Sequence, residues 1–185
     1  MRWRWIGLIA LAATTLACTI GLGGPTPPAP PITPPADAAE SLRQTWEQAL
    51  ASADAQGQIT VTLTEAQLTG LLAAKMAAEP DALFQSPQVY LRDGQVQIYG
   101  QVHQGNLRAN VLVVLTVTVD EDGTPQLQLA AADFGPFPVP EGLLSGLSAM
   151  LDEAFTGSVG PVLTGLRIES ITIANGMLTI VGRIR

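Results

Sequence analysis

The stretch that decides the fold of this chain reads LRANVLVVLTVTV and runs from Leu107 to Val119. Every second residue in it is apolar, and most of the residues between them are polar. An alternation with a period of two is typical of a β-strand that buries one face. At about 3.3 Å per residue the strand is about 40 Å long, whereas a usual strand of about 5–6 residues is about 20 Å long. We therefore expect the sheet that contains it to twist and curl.

Short turns connect this strand to other alternating segments. Asp93-Gly94, Asp122-Gly123 and Asn175-Gly176 are dipeptides that favour tight β-hairpins. Because strands joined by tight hairpins run antiparallel, the pattern predicts an antiparallel sheet. Its strands are predicted over 59–64, 88–92, 95–104, 107–119, 126–132, 166–174 and 177–185.

Helical periodicity predicts the elements that cover this sheet. Apolar residues recur at helical spacing over 38–53. Thr64 and Gln67 form a capping box at the start of a second helix, which Pro80 ends. A third helix is predicted over 139–157. The element order α-β-α-β-β-β-β-α-β-β indicates an α+β fold, a curved antiparallel sheet wrapped around long amphipathic helices.

The composition bounds the classes of function. The 185 residues suit one domain, and the hydrophobic fraction of 47% argues against a disordered chain. The net charge of -7 argues against nucleic-acid binding, which needs clustered Lys and Arg. One Cys and one His exclude a disulfide framework and any zinc site built from several Cys or His ligands. We therefore predict no metal and no cofactor.

The N-terminus has the pattern of an export signal. A basic start precedes the apolar run 6–17, which is too short to span a bilayer core of about 30 Å. Cys18 follows this run directly and resembles the lipidated Cys of a bacterial lipoprotein. The pattern predicts a signal peptide over 1–17 and an extracytoplasmic protein anchored to the membrane by lipidated Cys18. The alternatives are an ordinary signal cleaved after Ala17 and an uncleaved anchor.

A Pro-rich segment separates this signal from the rest of the chain. Seven of the fourteen prolines lie within 19–36, where they favour an extended polyproline-like conformation. At about 3.1 Å per residue, a tether over 18–37 holds the domain, 38–185, up to about 50 Å from its anchor. A proline-rich ligand for the groove of another protein is the alternative.

The folded part is predicted to contain an apolar groove, provided that the helices do not fill the curled sheet. The lining residues are apolar, and they come from the long strand and from the helices that cover it: Val111, Val113, Leu115, Val117, Leu71, Leu147 and Met150. The alternative is a fully packed core, in a protein that acts through its surface as an envelope scaffold.

Several segments resemble small bacterial membrane-anchored proteins of the tubular lipid-binding (TULIP, BPI-like) superfamily. They are the strand 60–65 that leads into a helix, the hairpin at Asp93-Gly94, the segment 134–140 and the closing hairpin at Asn175-Gly176. The resemblance covers about 42–185. It implies a single module that holds the acyl chains of a lipid or fatty acid in an apolar groove. It implies no catalytic residue, and it leaves open whether the module works alone or as a homodimer.

Other residues with chemical potential are predicted to be structural. His103 has no Cys, Ser or second His at motif spacing, which favours a surface histidine over a general base. The turn 120–123 lacks the ligand pattern of a calcium loop. The prolines between Asp133 and Glu141 are predicted to shape the loop into the third helix, with a membrane-touching tip around Phe134 and Phe137 as the alternative. We predict a non-enzymatic lipid carrier or sensor, and an envelope-lipid hydrolase is a further alternative.

Overall fold

The structure is a computed structural model, and it describes residues 20–21, 23–28, 30–78, 84–104, 107–135 and 166–184. Several predicted features lie outside these ranges. They are the signal peptide 1–17, Cys18, and the helix 139–157 with Leu147 and Met150.

The described elements are two helices and eight strands. The helices are α1, Ala38–Ala51, and α2, Glu65–Ala77. The strands are β1, Ile20–Gly21; β2, Gln58–Thr64; β3, Phe84–Arg92; β4, Gln95–Gln104; β5, Leu107–Val119; β6, Pro125–Asp133; β7, Leu166–Ala174; and β8, Met177–Ile184. The predicted limits of β4 and β5 are confirmed, while β3 begins at Phe84, before the predicted start at Gln88.

The described strands form two sheets, which corrects the prediction of one curved sheet. Sheet A has the order β1-β5-β4-β3, with β6 also paired to β5, and sheet B has the order β2-β8-β7. Every pairing is antiparallel except the short parallel pairing of β1 with β5. Hairpin turns predict only neighbouring strand pairs, whereas β2 pairs with β8 from the far end of the chain.

The described helices are shorter than the prediction requires. α1 has 14 residues and α2 has 13. At 1.5 Å per residue each is about 20 Å long, half the length of β5. They therefore do not show the long amphipathic helices that the sequence predicts. The predicted capping box is present in α2, where Gln67 N–H donates to Thr64 Oγ1 at 3.2 Å and Thr64 N–H donates to Gln67 Oε1 at 3.0 Å.

The hydrophobic core lies where the apolar faces of the two sheets meet. Trp46 and Ala49 of α1 also belong to it. Burying such side chains gives about 25 cal/mol per Å² of apolar surface, which is the main stabilising contribution in a fold of this kind. Its strand residues are Ile59, Val61, Leu63, Val89, Leu91, Val96, Ile98, Val113, Leu115, Leu166, Ile168, Leu178 and Ile180.

Helix α2 lies along the free edge of β3. The N–H of Val89 donates to Thr69 Oγ1 at 3.0 Å, and the N–H of Leu91 donates to Glu65 Oε1 at 2.8 Å. Residues four apart on a helix rise about 6 Å, and residues two apart on a strand rise about 6.6 Å, so the two spacings match. The helix therefore satisfies strand N–H groups that have no partner strand on this side.

The Pro-rich segment contacts the domain. We call residues 23–37, described except at position 29, the strap. Asn110 N–H donates to the carbonyl of Gly23 at 3.0 Å, beside β5. On β3, Tyr90 Oη donates to the carbonyl of Pro30 at 3.4 Å. The amide of Gln88 binds Ile32 twice: Ile32 N–H donates to Oε1 at 2.6 Å, and Nε2 donates to the Ile32 carbonyl at 3.3 Å.

The strap continues over α2 at Gly70, which has no room for a side chain. A Cβ at this position would overlap Ala38 Cβ and lie 3.3 Å from Pro34 Cβ. The strap thus crosses from β5 to β3 and then passes over α2 into α1, on the face of sheet A to which Gln88 and Tyr90 belong. The 18–37 tether remains a prediction, but its described part lies against the protein.

We predict that Thr69→Val lowers the free energy of unfolding by about 1–3 kcal/mol, because it leaves the buried N–H of Val89 without an acceptor. Thr69 is fully buried, so water does not replace the lost hydroxyl. Thr69→Ser keeps the hydroxyl and is the matched control. Urea denaturation of the full chain, followed by circular dichroism, measures both variants. Equal losses for Val and Ser would show that the hydroxyl contributes nothing.

Candidate functional site

The four predicted groove residues of β5 share one face of sheet A. Val111, Val113 and Leu115 are buried, and Val117 is half-buried. The alternation comes directly from the sequence, because side chains two apart on a strand point to the same side. Their contact with a lipid remains a prediction.

These residues divide into two groups along the strand. Val113 and Leu115 belong to the core between the two sheets, and Val117 packs against it. Val111 is fully buried and Ala109 nearly so, but neither is part of that core cluster. The apolar face of β5 therefore extends beyond the core, toward the end of the strand where β5 begins.

Neighbouring strands extend this apolar surface. Val102 pairs with Ala109, Gly100 pairs with Val111, and Phe84 of β3 pairs with Val102. The ring of Phe84 lies over Gly100, at a place where a Cβ would overlap the ring. We call Phe84, Val102, Ala109 and Val111 the apolar strip. Phe84 and Val102 are half-buried.

Sequence reasoning missed three members of the apolar strip. Phe84 lies before the predicted start of β3, and Val102 and Ala109 were assigned to strands without a role in the groove. The cross-strand pairs reveal the strip, and they depend on register. The Gly in the middle of an alternating strand was the available signal, since such a Gly often marks a close approach by another group.

The predicted groove residues on helices are not brought to the strip by any described contact. Leu71 of α2 is half-buried, and it is Leu68 and Leu72 that pack against the core cluster. Leu147 and Met150 lie outside the described residues.

The opposite face of sheet A carries a buried aromatic pair. The rings of Tyr90 and Tyr99 meet edge to face, with centroids 5.6 Å apart and an angle of 86°. The guanidinium of Arg92 lies 5.8 Å from the centre of the Tyr90 ring. Burial raises the pKa of the Tyr90 phenol above its usual value, and the negative charge of Glu65 adds to this shift.

A polar depression of about 440 Å³ lies at the end of the domain where the β3–β4 and β7–β8 turns meet. Glu65 and Arg92 form an ion pair in its wall, and Asp93 and Asn175 belong to the turns. The Glu65 carboxylate also accepts the N–H of Leu91, so its oxygens are used in holding β3 to α2. This depression is therefore a structural junction rather than a candidate binding site.

The sequence analysis also singled out the acidic turn at Asp120, the loop at Phe134 and the side chain of His103. Asp120 accepts N–H groups from Thr124 at 2.8 Å and Asp122 at 3.0 Å, which lowers the pKa of its carboxyl; residues 120–122 of the turn are exposed, whereas Gly123 is buried. Phe134 is buried, which argues against a membrane-touching tip at this residue, and Phe137 lies outside the described residues. His103 is half-buried, and its Nε2 has no hydrogen-bond partner among the described residues.

The described residues were also searched for metal and membrane features. Among them, no three His, Cys, Asp or Glu side chains are grouped so that they could hold a metal ion. Within the same part of the chain, no helix is long and apolar enough to cross a membrane.

The fold and the apolar strip together define an α+β protein whose apolar side chains continue along sheet A beyond the core cluster between the two sheets. The chain belongs to the LmeA-like phospholipid-binding family, whose model matches residues 39–183. Searches of curated proteins and of solved structures find no match. The family match confirms the prediction of a lipid-binding domain. Membership of the TULIP superfamily remains a prediction.

The raised pKa of Tyr90 predicts how stability depends on alkaline pH. A phenol whose pKa is higher in the folded than in the unfolded state contributes stability that is fully present below the unfolded pKa, about 10, and is lost as the pH rises from there through the folded pKa. We expect the free energy of unfolding to fall as the pH rises through this value, and to fall less in Tyr90→Phe. Urea denaturation across this pH range measures the effect. Tyr99→Phe is the matched control, and an equal flattening in both variants would contradict the assignment to Tyr90.

Proposed function

We propose that this protein is an extracytoplasmic lipoprotein that binds a phospholipid with an acyl chain on the apolar strip. The observation that carries the proposal is the row of apolar side chains that continues beyond the core cluster, in which Ala109 and Val111 are buried and Val102 beside them is half-buried. The family match supports the phospholipid class of ligand. The family description is one of binding, so the proposed role is a carrier or sensor rather than an enzyme.

The energetics of acyl burial fit a strip of this kind. Each methylene removed from water contributes about 0.8 kcal/mol, so burying about ten methylenes corresponds to the roughly 8 kcal/mol of a micromolar complex. Val102, Ala109 and Val111 offer no hydrogen-bonding side chains, so the strip suits an acyl chain rather than a polar headgroup.

The central test compares two substitutions of the same kind on opposite faces of β5. Val111→Thr places a hydroxyl in the apolar strip, and Val114→Thr places one on the other face. Both are buried positions, so both variants lose some stability. We expect Val111→Thr to lower phospholipid occupancy about tenfold and Val114→Thr to leave it unchanged, because burying an unpaired hydroxyl costs about 1–3 kcal/mol.

Native mass spectrometry of the full chain after incubation with phosphatidylglycerol measures this occupancy. Circular dichroism confirms that both variants are folded. Loss of lipid in both variants would indicate a general loss of structure. A wild-type chain that binds no lipid would favour the scaffold alternative, with a packed core and a functional surface.

The anchor requires a separate test. We expect Cys18→Ser to release the protein from the membrane fraction and to remove the mass of the attached acyl groups, because the thiol of Cys18 is the attachment point. Membrane fractionation and intact mass measure the two effects. Cys18 is the single Cys of the chain, so no other thiol substitutes for it. A variant that stays in the membrane fraction with unchanged mass would refute lipidation and favour the uncleaved anchor.

A further inference from the structure

We propose that the strap fixes the orientation of the domain on a phospholipid surface, with the β4–β5 end of sheet A facing the lipid. This inference rests on the proposed anchor at Cys18. It goes beyond lipid binding, because it assigns a membrane-facing surface to the domain and an orienting role to the Pro-rich segment.

The first observation is the position at which the chain reaches the domain. Ile20 and Gly21 pair in parallel with Leu107 and Arg108, at the start of β5. Cys18 precedes Ile20 by two residues, which span at most about 7 Å. The attachment point therefore lies close to the β4–β5 end, whereas a free tether of the same sequence would allow a separation of about 50 Å.

The second observation is that the strap is held at several points after this entry. The amide of Gln88 binds both the N–H and the carbonyl of Ile32, which is the pattern by which a strand binds its neighbour. Tyr90 binds the carbonyl of Pro30. Proline-rich backbone loses little conformational entropy on docking, because its torsion angles are already restricted.

The third observation is the distribution of charge along sheet A. Arg108 is exposed at the β4–β5 end. At the other end, four acidic residues of the turns, Asp93, Asp120, Glu121 and Asp122, outnumber Arg92, which is paired with Glu65, and Arg167, which contacts the Glu121 carbonyl. An anionic lipid surface attracts the first end and repels the second.

The apolar strip lies at the end that the strap places on the membrane. Val102 and Ala109 are paired two residues from the β4–β5 turn, and Phe84 lies in the same cross-strand row. A lipid that leaves the bilayer would therefore meet the strip without crossing the acidic end of the domain. The proposed orientation therefore favours the exchange of lipid between the bilayer and the apolar strip.

The test measures the height of two positions on one strand above a vesicle. Gln85 and Asp93 are both exposed and lie at opposite ends of β3, about 25 Å apart. A fluorescent amino acid is introduced at one position or the other in the full chain. The thiol of Cys18 is coupled to maleimide-lipid vesicles of equal parts phosphatidylcholine and phosphatidylglycerol, which carry an acceptor dye on their headgroups. Attachment then does not depend on natural lipidation.

We expect energy transfer from position 85 to exceed transfer from position 93 by about twofold or more, given the difference in height. The double substitution Gln88→Ala and Tyr90→Phe removes the side-chain hydrogen bonds from β3 to the strap and leaves the bond between Asn110 and Gly23 in place, so it should reduce the difference. Gln128→Ala, at an exposed position of β6, is the control and should preserve it. Circular dichroism establishes that each chain is folded.

Equal transfer from both positions in the unsubstituted chain, or higher transfer from position 93, would overturn the proposal. A difference that the double substitution leaves unchanged in size would also overturn it, because docking of the strap on β3 would then not set the orientation. Neither result affects lipid occupancy, which Val111→Thr tests separately, or the acylation of Cys18, which intact mass tests. The orientation and the proposed function therefore fail in distinguishable ways.

Discussion

The structure depends on how the free edge of β3 is closed. Edge strands expose N–H and carbonyl groups that would otherwise pair with another chain. Here Thr69 and Glu65 accept N–H groups of β3 from a helix that follows directly after β2 of the other sheet. One helix thus closes sheet A and connects it to sheet B. The carboxylate of Glu65 also forms an ion pair with Arg92, so it holds the end of sheet A at the β3–β4 turn as well.

A second junction holds the sheets together at the acidic end of the domain. The N–H of Ile168 donates to the carbonyl of Gly123 at 3.1 Å, and Arg167 Nη2 donates to the carbonyl of Glu121 at 2.7 Å. The β5–β6 turn is therefore attached to β7 where the pairing of β7 with β8 shifts register. These hydrogen bonds and the shared core lie toward this end. In the apolar strip, Val102, Ala109 and Val111 are not members of the core cluster, whereas Phe84 packs against it.

Sequence patterns predicted the local structure well. The period of two gave the limits of β4 and β5, and the capping box located the start of α2, because both signals act within a few residues. The early start of β3 was missed, since it includes Ser86 at a φ of 52°, a conformation that Ser rarely adopts. The second sheet was missed because β2 pairs with a strand more than a hundred residues away.

The candidate site was predicted only in part, again because local sequence patterns do not show which distant segments pack together. The shared face of Val111, Val113 and Leu115 follows from periodicity, but the boundary between core and strip depends on which strands pack above them. Nor does a Pro-rich composition indicate whether the segment is free or docked. That distinction depends on side chains such as Gln88, whose amide binds Ile32 from a distant part of the chain.

The net charge of -7 explains why both a lipid anchor and an orienting strap would be useful to this protein. An acidic protein gains no affinity for anionic lipid from its overall charge, and each basic residue near such a surface contributes only about 1 kcal/mol. Under the proposed function, stable attachment would therefore come from acyl chains, since one chain alone gives marginal binding. Such an anchor would attach the domain without orienting it. The proposed role of the strap is to orient it, because a docked strap removes the freedom of a long tether and would leave the acidic turns facing away from the bilayer.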